Sequence, residues 1–453
     1  MADRARLTAL TDGIVGERVF PDDPRYDDLR TVWNAMIDRR PRLIVRCTTV
    51  ADVVASVRAA RELDLEIGVR CGGHSVQGHG VPEDGLMIDL TPMGGVLVDP
   101  ARRVAWVQGG ALLGALDVAA QQHGLATTAG NVSHTGVGGL TLGGGMGWLA
   151  RQHGLACDNV ISYEVVTASG EVVRASRDEH PDLYWGLRGG GGNFGVVTEF
   201  EFRLHPVGTR ALSVELDLPV EQAAGAMRAW RDLSATAPRQ ATFTAFAAGD
   251  VVTLGFVWVG DPAGGYRLRQ TFGALGTPLA ERTEELSYLA LQTRDDTVGG
   301  HEYRRYWKGH LLPDLSDAAI DAMLGRGGQT ELLPSWSLQA YGGAISDVGE
   351  DETPFSHRDS RFEYIAGARW EDPAEDAERM AVARRCAAAV EPFAAGVYVN
   401  ALGDVDAAGV RRAYPPAKLQ RLTAVKDAYD PDNVFRLNAN ITPSRVRDGA
   451  DVM

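Results

Sequence analysis

A run of β-type residues that ends directly in two glycines and a histidine, Val69-Arg70-Cys71-Gly72-Gly73-His74-Ser75, constrains this chain more than any other stretch. Gly78 and Gly80 follow it closely. Adjacent glycines after a strand leave bare amides that can line a pyrophosphate as an anion nest. A histidine inside such a turn would point its ring along the bound ligand. Upstream, residues 42–47 read as a buried strand, and Thr49 offers a side-chain oxygen as helix N-cap. Val53, Val54, Val57, Ala60 and Leu63 then recur at helical spacing. Residues 67–70 form a second strand, so 42–70 read as a β-α-β unit. Short strands are expected at 87–90 and 104–107, and a helix from about Ala111 that turns Leu112, Leu113, Leu116 and Ala119 to a core.

Three more stretches have the same character. Ser133-His134-Thr135-Gly136-Val137-Gly138-Gly139-Leu140 runs on to Gly143-Gly144-Gly145. A nicotinamide-dinucleotide fingerprint would need a helix through residues 140–149, which the glycines disfavour. No GxxxxGK[ST] loop is present either. Residues 182–197 hold four consecutive glycines, Gly189 to Gly192, followed by Asn193, Gly195 and Val197. The last stretch, 429–441, starts where proline stops a helix at Tyr429-Asp430-Pro431 and leads to Asn438 and Asn440. That helix carries Leu419, Leu422, Val425 and Tyr429 on one side.

At 453 residues the chain is too long for one ordinary core, and about two domains are expected. From residue 209 the glycine clusters thin out and apolar alternation appears at 251–259 and 336–345, which suits an antiparallel sheet with one covered face. Helical stretches at 221–233 and 373–389 separate these strands. The expected arrangement is split: 1–207 and 395–453 together, with 208–394 inserted. The net charge of −15 speaks against a nucleic-acid partner. No run approaches about 18 apolar residues and no apolar leader is visible, so no membrane partner is expected. Cys47, Cys71, Cys157 and Cys386 are too sparse for a disulfide scaffold or a metal set. No metal and a cytoplasmic location are therefore expected, with the oligomeric state left open.

Taken together, the four stretches resemble the berberine-bridge-enzyme-like branch of the vanillyl-alcohol-oxidase/p-cresol-methylhydroxylase superfamily of FAD-linked oxidases, over residues 37–443. Within the branch the likeness runs furthest to the bacterial enterocin-pathway flavoenzymes that drive a Favorskii-type rearrangement of a polyketide. The resemblance implies an α+β fold. A split FAD-binding domain of two α/β subdomains (core 37–207) would carry an inserted substrate domain on an antiparallel sheet flanked by helices. It also implies that His74 is bonded to the 8α-methyl of FAD. Such a bond raises the flavin's potential and fixes the ring relative to substrate. Further cofactor contacts are expected from Arg70, Cys71, Gly72, Gly73, Ser75, Gly78, His134, Thr135, Gly138, Gly139, Gly145, Asn159, Gly195, Val197, Asn438 and Asn440. Many relatives carry a second link to a cysteine at the position of Val132, and Cys157 does not align with it. One histidyl link and no cysteinyl link are expected.

On the substrate side, the resemblance brings Tyr398 and Asn400, on a strand over 396–400, near the flavin. Tyr398 would act as base once a neighbouring cation lowers its pKa. Lys308 and His310 are expected to face the same cavity. Thr135 and Leu140 match residues that line an oxygen pocket in the rearrangement enzymes, where a flavin-N5-oxide forms. Those enzymes place a glutamate on the strand matching 336–341, and here Ser337 stands there with Gln339 and Tyr341 nearby. The expected function is an O2-dependent oxidase acting on an alcohol, amine or activated C–H carbon of a small natural-product-type molecule. The alternative is an N5-oxide oxygenase of polyketide tailoring. A non-catalytic flavin carrier and an NAD(P)H-dependent reductase are disfavoured, the first by the polar set just named and the second by the missing nicotinamide fingerprint.

Overall fold

The computed structural model describes residues 2–296, 301–325 and 334–446. Thr49 caps the helix Val50–Glu62: its hydroxyl accepts from the Asp52 N–H at 3.1 Å, and the Asp52 carboxylate accepts from the Thr49 N–H at 3.0 Å. Val53, Val57 and Ala60 on that helix pack beneath Leu43, Val45, Ile67 and Ile88. These belong to a four-stranded sheet ordered Glu17–Val19, Leu43–Arg46, Leu86–Asp89, Ile67–Arg70. Its last three strands are parallel. The two strands of the expected β-α-β unit are therefore not neighbours, because Leu86–Asp89 lies between them. Periodicity finds strands but does not say which ones pair.

A five-stranded antiparallel sheet follows in the order Val96–Asp99, Val104–Gln108, Val196–Arg203, Val160–Val166, Val172–Ser176. Its core holds Tyr163, Phe200 and Phe202, and it takes in Leu422, Val425 and Ile441 from the end of the chain. The C-terminal helix Pro416–Tyr429 is thus a structural part of the N-terminal half.

The third layer is a seven-stranded antiparallel sheet, ordered Ala280–Ser287, Arg210–Pro219, Val251–Val259, Ala241–Ala248, Ser335–Ala340, Phe362–Trp370, Arg304–Leu312. Residues from the helices Val220–Thr236, Asp317–Gly325 and Asp376–Val390, Trp230 among them, cover one face by packing on the strand residues Phe243, Trp336, Phe362 and Tyr364. Each such aromatic contributes on the order of 2 kcal/mol when fully buried. Alternation sends the neighbouring residues Gln339, Glu363 and Leu311 to the opposite face. The fold is α+β with the inserted antiparallel sheet that was expected. Among the described residues no helix is long and apolar enough to cross a membrane.

Local expectations fail in three places, each for a visible reason. The strand expected at 396–400 is a single bridge between Gly396 and Leu311, followed by the 3-10 turn Val399–Ala401. There the Ala401 N–H turns back to the Tyr398 carbonyl at 2.8 Å instead of continuing the ladder. The glycine run does deny a helix through 140–149: the short helix Val137–Gly143 stops at Gly144, where φ is +138°. The alternation at 336–345 ends at Ala340, since Gly342 and Gly343 take positive φ. The helix near 111 starts only at Leu113, which leaves Leu112 partly exposed.

Candidate active site

Two glycine loops meet backbone to backbone at the top of these layers. A side chain at Gly72 would collide with the amide of Gly136, and one at Gly136 with the amide of Gly72 and the Cys71 thiol. The contact brings His74 to the second loop. Its Nε2 shares a 2.7 Å hydrogen bond with His134 Nδ1, and its Nδ1 lies 3.3 Å from the Thr135 hydroxyl. Trp33 stacks on the imidazole, with ring centroids 4.9 Å apart and planes 14° off parallel. Burial first, then the charges of His134 and Arg305, push the His74 pKa down to about 3. The ring is neutral at any ordinary working pH. The second loop is pinned from the far side, where Ser133 donates through its N–H at 2.9 Å and its hydroxyl at 2.5 Å to Asp296.

Two further elements close the space beneath these loops. Asn193 donates to the carbonyls of Gly190 and Ala439 and accepts from the Ile441 N–H at 2.9 Å. The Asn438 amide donates to Gly192 O at 3.2 Å. The ammonium of Lys426, fully buried with Asp430 at 2.6 Å, reaches Asn193 O and Phe435 O. These contacts fix 189–195 to 438–441.

The residues present fit a long dinucleotide such as FAD. The buried Oδ1 atoms of Asn438 and Asn440 have no hydrogen-bond partner among the described residues. Buried polar atoms of that kind are rarely left unsatisfied. Side chains built at Gly139 and Gly192 would meet open space. No group of three His, Cys, Asp or Glu side chains gathers as a metal would need among the described residues.

Several expected cofactor contacts are engaged elsewhere. Arg70 pairs with Asp89 at 2.7 Å and donates to Leu29 O at 2.6 Å, so it braces the strand end. Asn159 donates to His153 O and Leu155 O and meets His205 at 2.7 Å, which uses its whole amide. Gly195 and Val197 are packed at the start of the central strand against Val165 and Val166. The Cys71 thiol, raised to about 11 by burial, donates to Ala111 O at 3.3 Å. Ser75 accepts from the His79 N–H, and Gly78 packs on Ile37. Gly138 approaches Gly109 O.

The polar centre lies between the 143–145 loop and the open face of the large sheet. The Tyr398 hydroxyl oxygen accepts from the Gly145 N–H at 2.9 Å and from the Asn400 amide at 2.8 Å. Glycine is required here, since a side chain at Gly143 would strike Asn400 and one at Gly144 would strike Phe355. Among the described residues no cation contributes beside Tyr398. Burial and the Glu363 charge raise its pKa, and the two donors only oppose that. Glu363 is buried, accepts from the Tyr341 hydroxyl at 2.9 Å, and is itself raised to about 7 by burial. It sits directly across from Gln339, on the strand adjacent to the one that carries Ser337.

Lys308 and His310 do not join this centre. The Lys308 ammonium is 3.2 Å from Asp404, which also accepts from Tyr306 and Arg384. Burial opposes ionisation of Asp404, and those donors outweigh it, holding its pKa at about 2. His310 is buried, with Nε2 at Ala387 O and Nδ1 at Arg412. Successive side chains on a strand face opposite ways, so His310 points to the helix layer. Thr135 turns to His74, and Leu140 packs between the positions of Gly130 and Gly145. Glu363, Trp33 and Asp296 were not singled out in the sequence; only strand register exposes the first.

Comparison with known proteins adds the family. A model described as FAD binding domain matches residues 41–176, and one described as berberine and berberine like matches 397–442. (R)-6-hydroxynicotine oxidase of Paenarthrobacter nicotinovorans is 33% identical over 95% of this chain and 97% of its own length. The crystal structure of 6-hydroxy-D-nicotine oxidase from Arthrobacter nicotinovorans superposes with a TM-score of 0.87 at 31% identity, covering 95% of this chain and 99% of that one. Physcomitrella patens BBE-like 1 superposes with a TM-score of 0.89 at 26% identity, covering 96% and 99%.

Proposed function

This chain belongs to the berberine-bridge-enzyme-like FAD-linked oxidoreductases, and from that premise we propose an oxidase whose FAD is held through His74 alone. It would remove a hydride from an alcohol, amine or activated C–H carbon of a small molecule and pass the electrons to O2. FAD held there would supply the two-electron acceptor, with O2 as the terminal acceptor and hydrogen peroxide as the product.

The single observation that carries the reading is the Tyr398 oxygen, which receives two hydrogen bonds in the same buried centre as Glu363. The two donors fix where the phenolic O–H points, while burial and the Glu363 charge keep it protonated. Glu363, raised to about 7, is the group of this centre able to take a proton from substrate near neutral pH. The neutral ring of His74, oriented by His134 and Trp33, supports it as the point of attachment. Valine at 132 supports a single link. None of the four cysteines is in a disulfide, which supports a reducing compartment such as the cytoplasm.

Intact-protein mass spectrometry tests the link, and anaerobic substrate addition tests the activity. An FAD-sized mass increment that survives denaturation, and bleaching that air reverses with peroxide release, are the expected results. Flavin that leaves the denatured wild-type chain entirely would defeat the attachment.

A further inference from the structure

The loops that carry His74 and His134 are each tied to the inserted sheet, and both ties come from one connection. The strands Ala280–Ser287 and Arg304–Leu312 stand at opposite edges of the seven-stranded order. The chain passes from the first edge to the second through residues 288–303. Early on this path it meets the second loop: the Asp296 carboxylate accepts from the Ser133 N–H and hydroxyl, and the Gln292 amide donates to Gly130 O at 3.1 Å. At its end it meets the irregular stretch 32–36, which lies against the first loop. There the Ala35 N–H donates to Tyr303 O at 3.0 Å, and the Arg305 guanidinium donates to Trp33 O.

Asn34 joins that stretch to both the loop and the edge strand. Its Nδ2 donates to Val76 O at 2.7 Å and to Arg305 O at 2.9 Å. Its Oδ1 accepts from the Arg305 N–H at 2.9 Å and the Met36 N–H at 3.1 Å. The side chain is 2% exposed, and every donor and acceptor of its amide is used. A buried amide satisfied in this way admits one placement of its neighbours. Beside it the Trp33 N–H donates to Gly73 O at 3.1 Å, one residue before His74. The Trp33 ring lies on the imidazole and carries the Arg305 guanidinium 4.0 Å from its centroid. His134 and Thr135 limit rotation of the His74 ring in its plane, and Trp33 limits its tilt. Burial sets the low His74 pKa, and the Asp296 charge opposes it, so that carboxylate also acts on the pair through space.

We propose that Trp33, Asn34 and Asp296 are positioning residues for the His74–His134 pair, so that the inserted sheet, through the connection between its edge strands, sets the geometry in which FAD is attached. This assignment rests on attachment at His74 for its flavin readout alone. Attachment joins a ring nitrogen to the 8α carbon. Nitrogen and carbon each give up one hydrogen, and both leave with their electron pair to O2 as hydrogen peroxide.

The test uses the full chain, labelled with nitrogen-15 histidine and produced flavin-free in riboflavin-starved cells. NMR coupling across the N–H···N bond between the two rings reads their geometry directly. Wild type and W33F are expected to show it, whereas W33L and D296N lose it with unchanged circular dichroism. FAD is then added and covalent mass is followed in time. W33L and D296N are expected to attach it roughly 10-fold more slowly than wild type, and W33F at the wild-type rate. In an H134A background D296N should add no further slowing, because the pair it serves is gone. N34D sets an acceptor against two carbonyls and is expected to lose coupling and attachment together; should it not fold, W33L and D296N decide. No coupling in the wild type, coupling kept in both W33L and D296N, or full additivity of D296N with H134A would each overturn the assignment. A wild-type chain that shows the coupling and never gains covalent mass defeats attachment at His74, and the coupling alone then judges the positioning.

Discussion

His74 Nε2 and His134 Nδ1 lie 2.7 Å apart, so the two imidazoles share one proton between them. One ring therefore dictates which nitrogen of the other is bare, and Thr135, 3.3 Å from His74 Nδ1, senses the choice. His74→Ala is expected to eliminate covalent flavin. His134→Ala is expected to fold and bind FAD but to attach it on the order of 10-fold more slowly or worse, since it loses a positioned proton partner. Time-resolved intact mass after adding FAD to apoprotein measures this. Equal attachment rates for His134→Ala and wild type would show the pair to be packing only.

Tyr398→Phe removes the phenolic oxygen and keeps the ring packed on Phe355. Its kcat is expected to fall on the order of 10²–10⁴-fold, with flavin content unchanged. Stopped-flow reduction under anaerobic conditions isolates the step.

Glu363 is raised to about 7, so it accepts a proton only above that pH. The flavin reduction rate should climb as pH passes about 7 in wild type and lose that limb in Glu363→Gln, which still accepts from Tyr341. A pH–rate profile in which both proteins share the same limb assigns it to another group.

Asp117 is fully enclosed beneath Gln292, and its carboxyl is raised to about 7 by burial despite the 3.0 Å hydrogen bond it accepts. A raised carboxyl favours the folded state while protonated. That contribution is complete below its ordinary pKa near 4 and is lost as pH climbs through about 7. Asp117→Asn should therefore flatten the decline in Tm between pH 5 and pH 8, an effect of at most about 3 kcal/mol. Thermal melts at the two pH values measure it. Parallel curves for the two proteins would place the loss elsewhere.

Lys426 and Asp430 form an ion pair with no exposure at either side chain. Lys426→Ala strands a buried carboxylate and is expected to cost about 3–5 kcal/mol. Denaturant unfolding reads this directly, and a loss under 1 kcal/mol would mean that water reaches the site.

Much of this was legible in the sequence because glycine, proline and cap residues act locally. The RCGGHS loop, the Thr49 cap and the Pro431 stop each announce a backbone geometry within a few residues. Tyr398 and Asn400 were legible only as a motif, and their shared contact with the 143–145 loop depends on a turn where alternation suggested a strand. Lys308 and His310 are two residues apart on one strand, so parity turns both away from the open face, one to Asp404 and the other under Ala387. Glu363 was invisible for a different reason: its role comes from lying across from Gln339, and pairing between strands far apart in the chain leaves no local mark. The family relation fixes flavin chemistry, whereas which side chains share the open face of the large sheet is decided by register.

The fastening of 189–195 by residues beyond 414 has a consequence for biogenesis. Tyr414, Lys426 and Ile441 hold the carbonyls and amide that shape the cradle, and all of them leave the ribosome well after the segment they fasten. A nascent chain still short of the helix Pro416–Tyr429 has His74 but no finished bed for a nucleotide. Loading must then be a post-translational event, and a stop codon upstream of that helix would yield a colourless protein even with His74 intact.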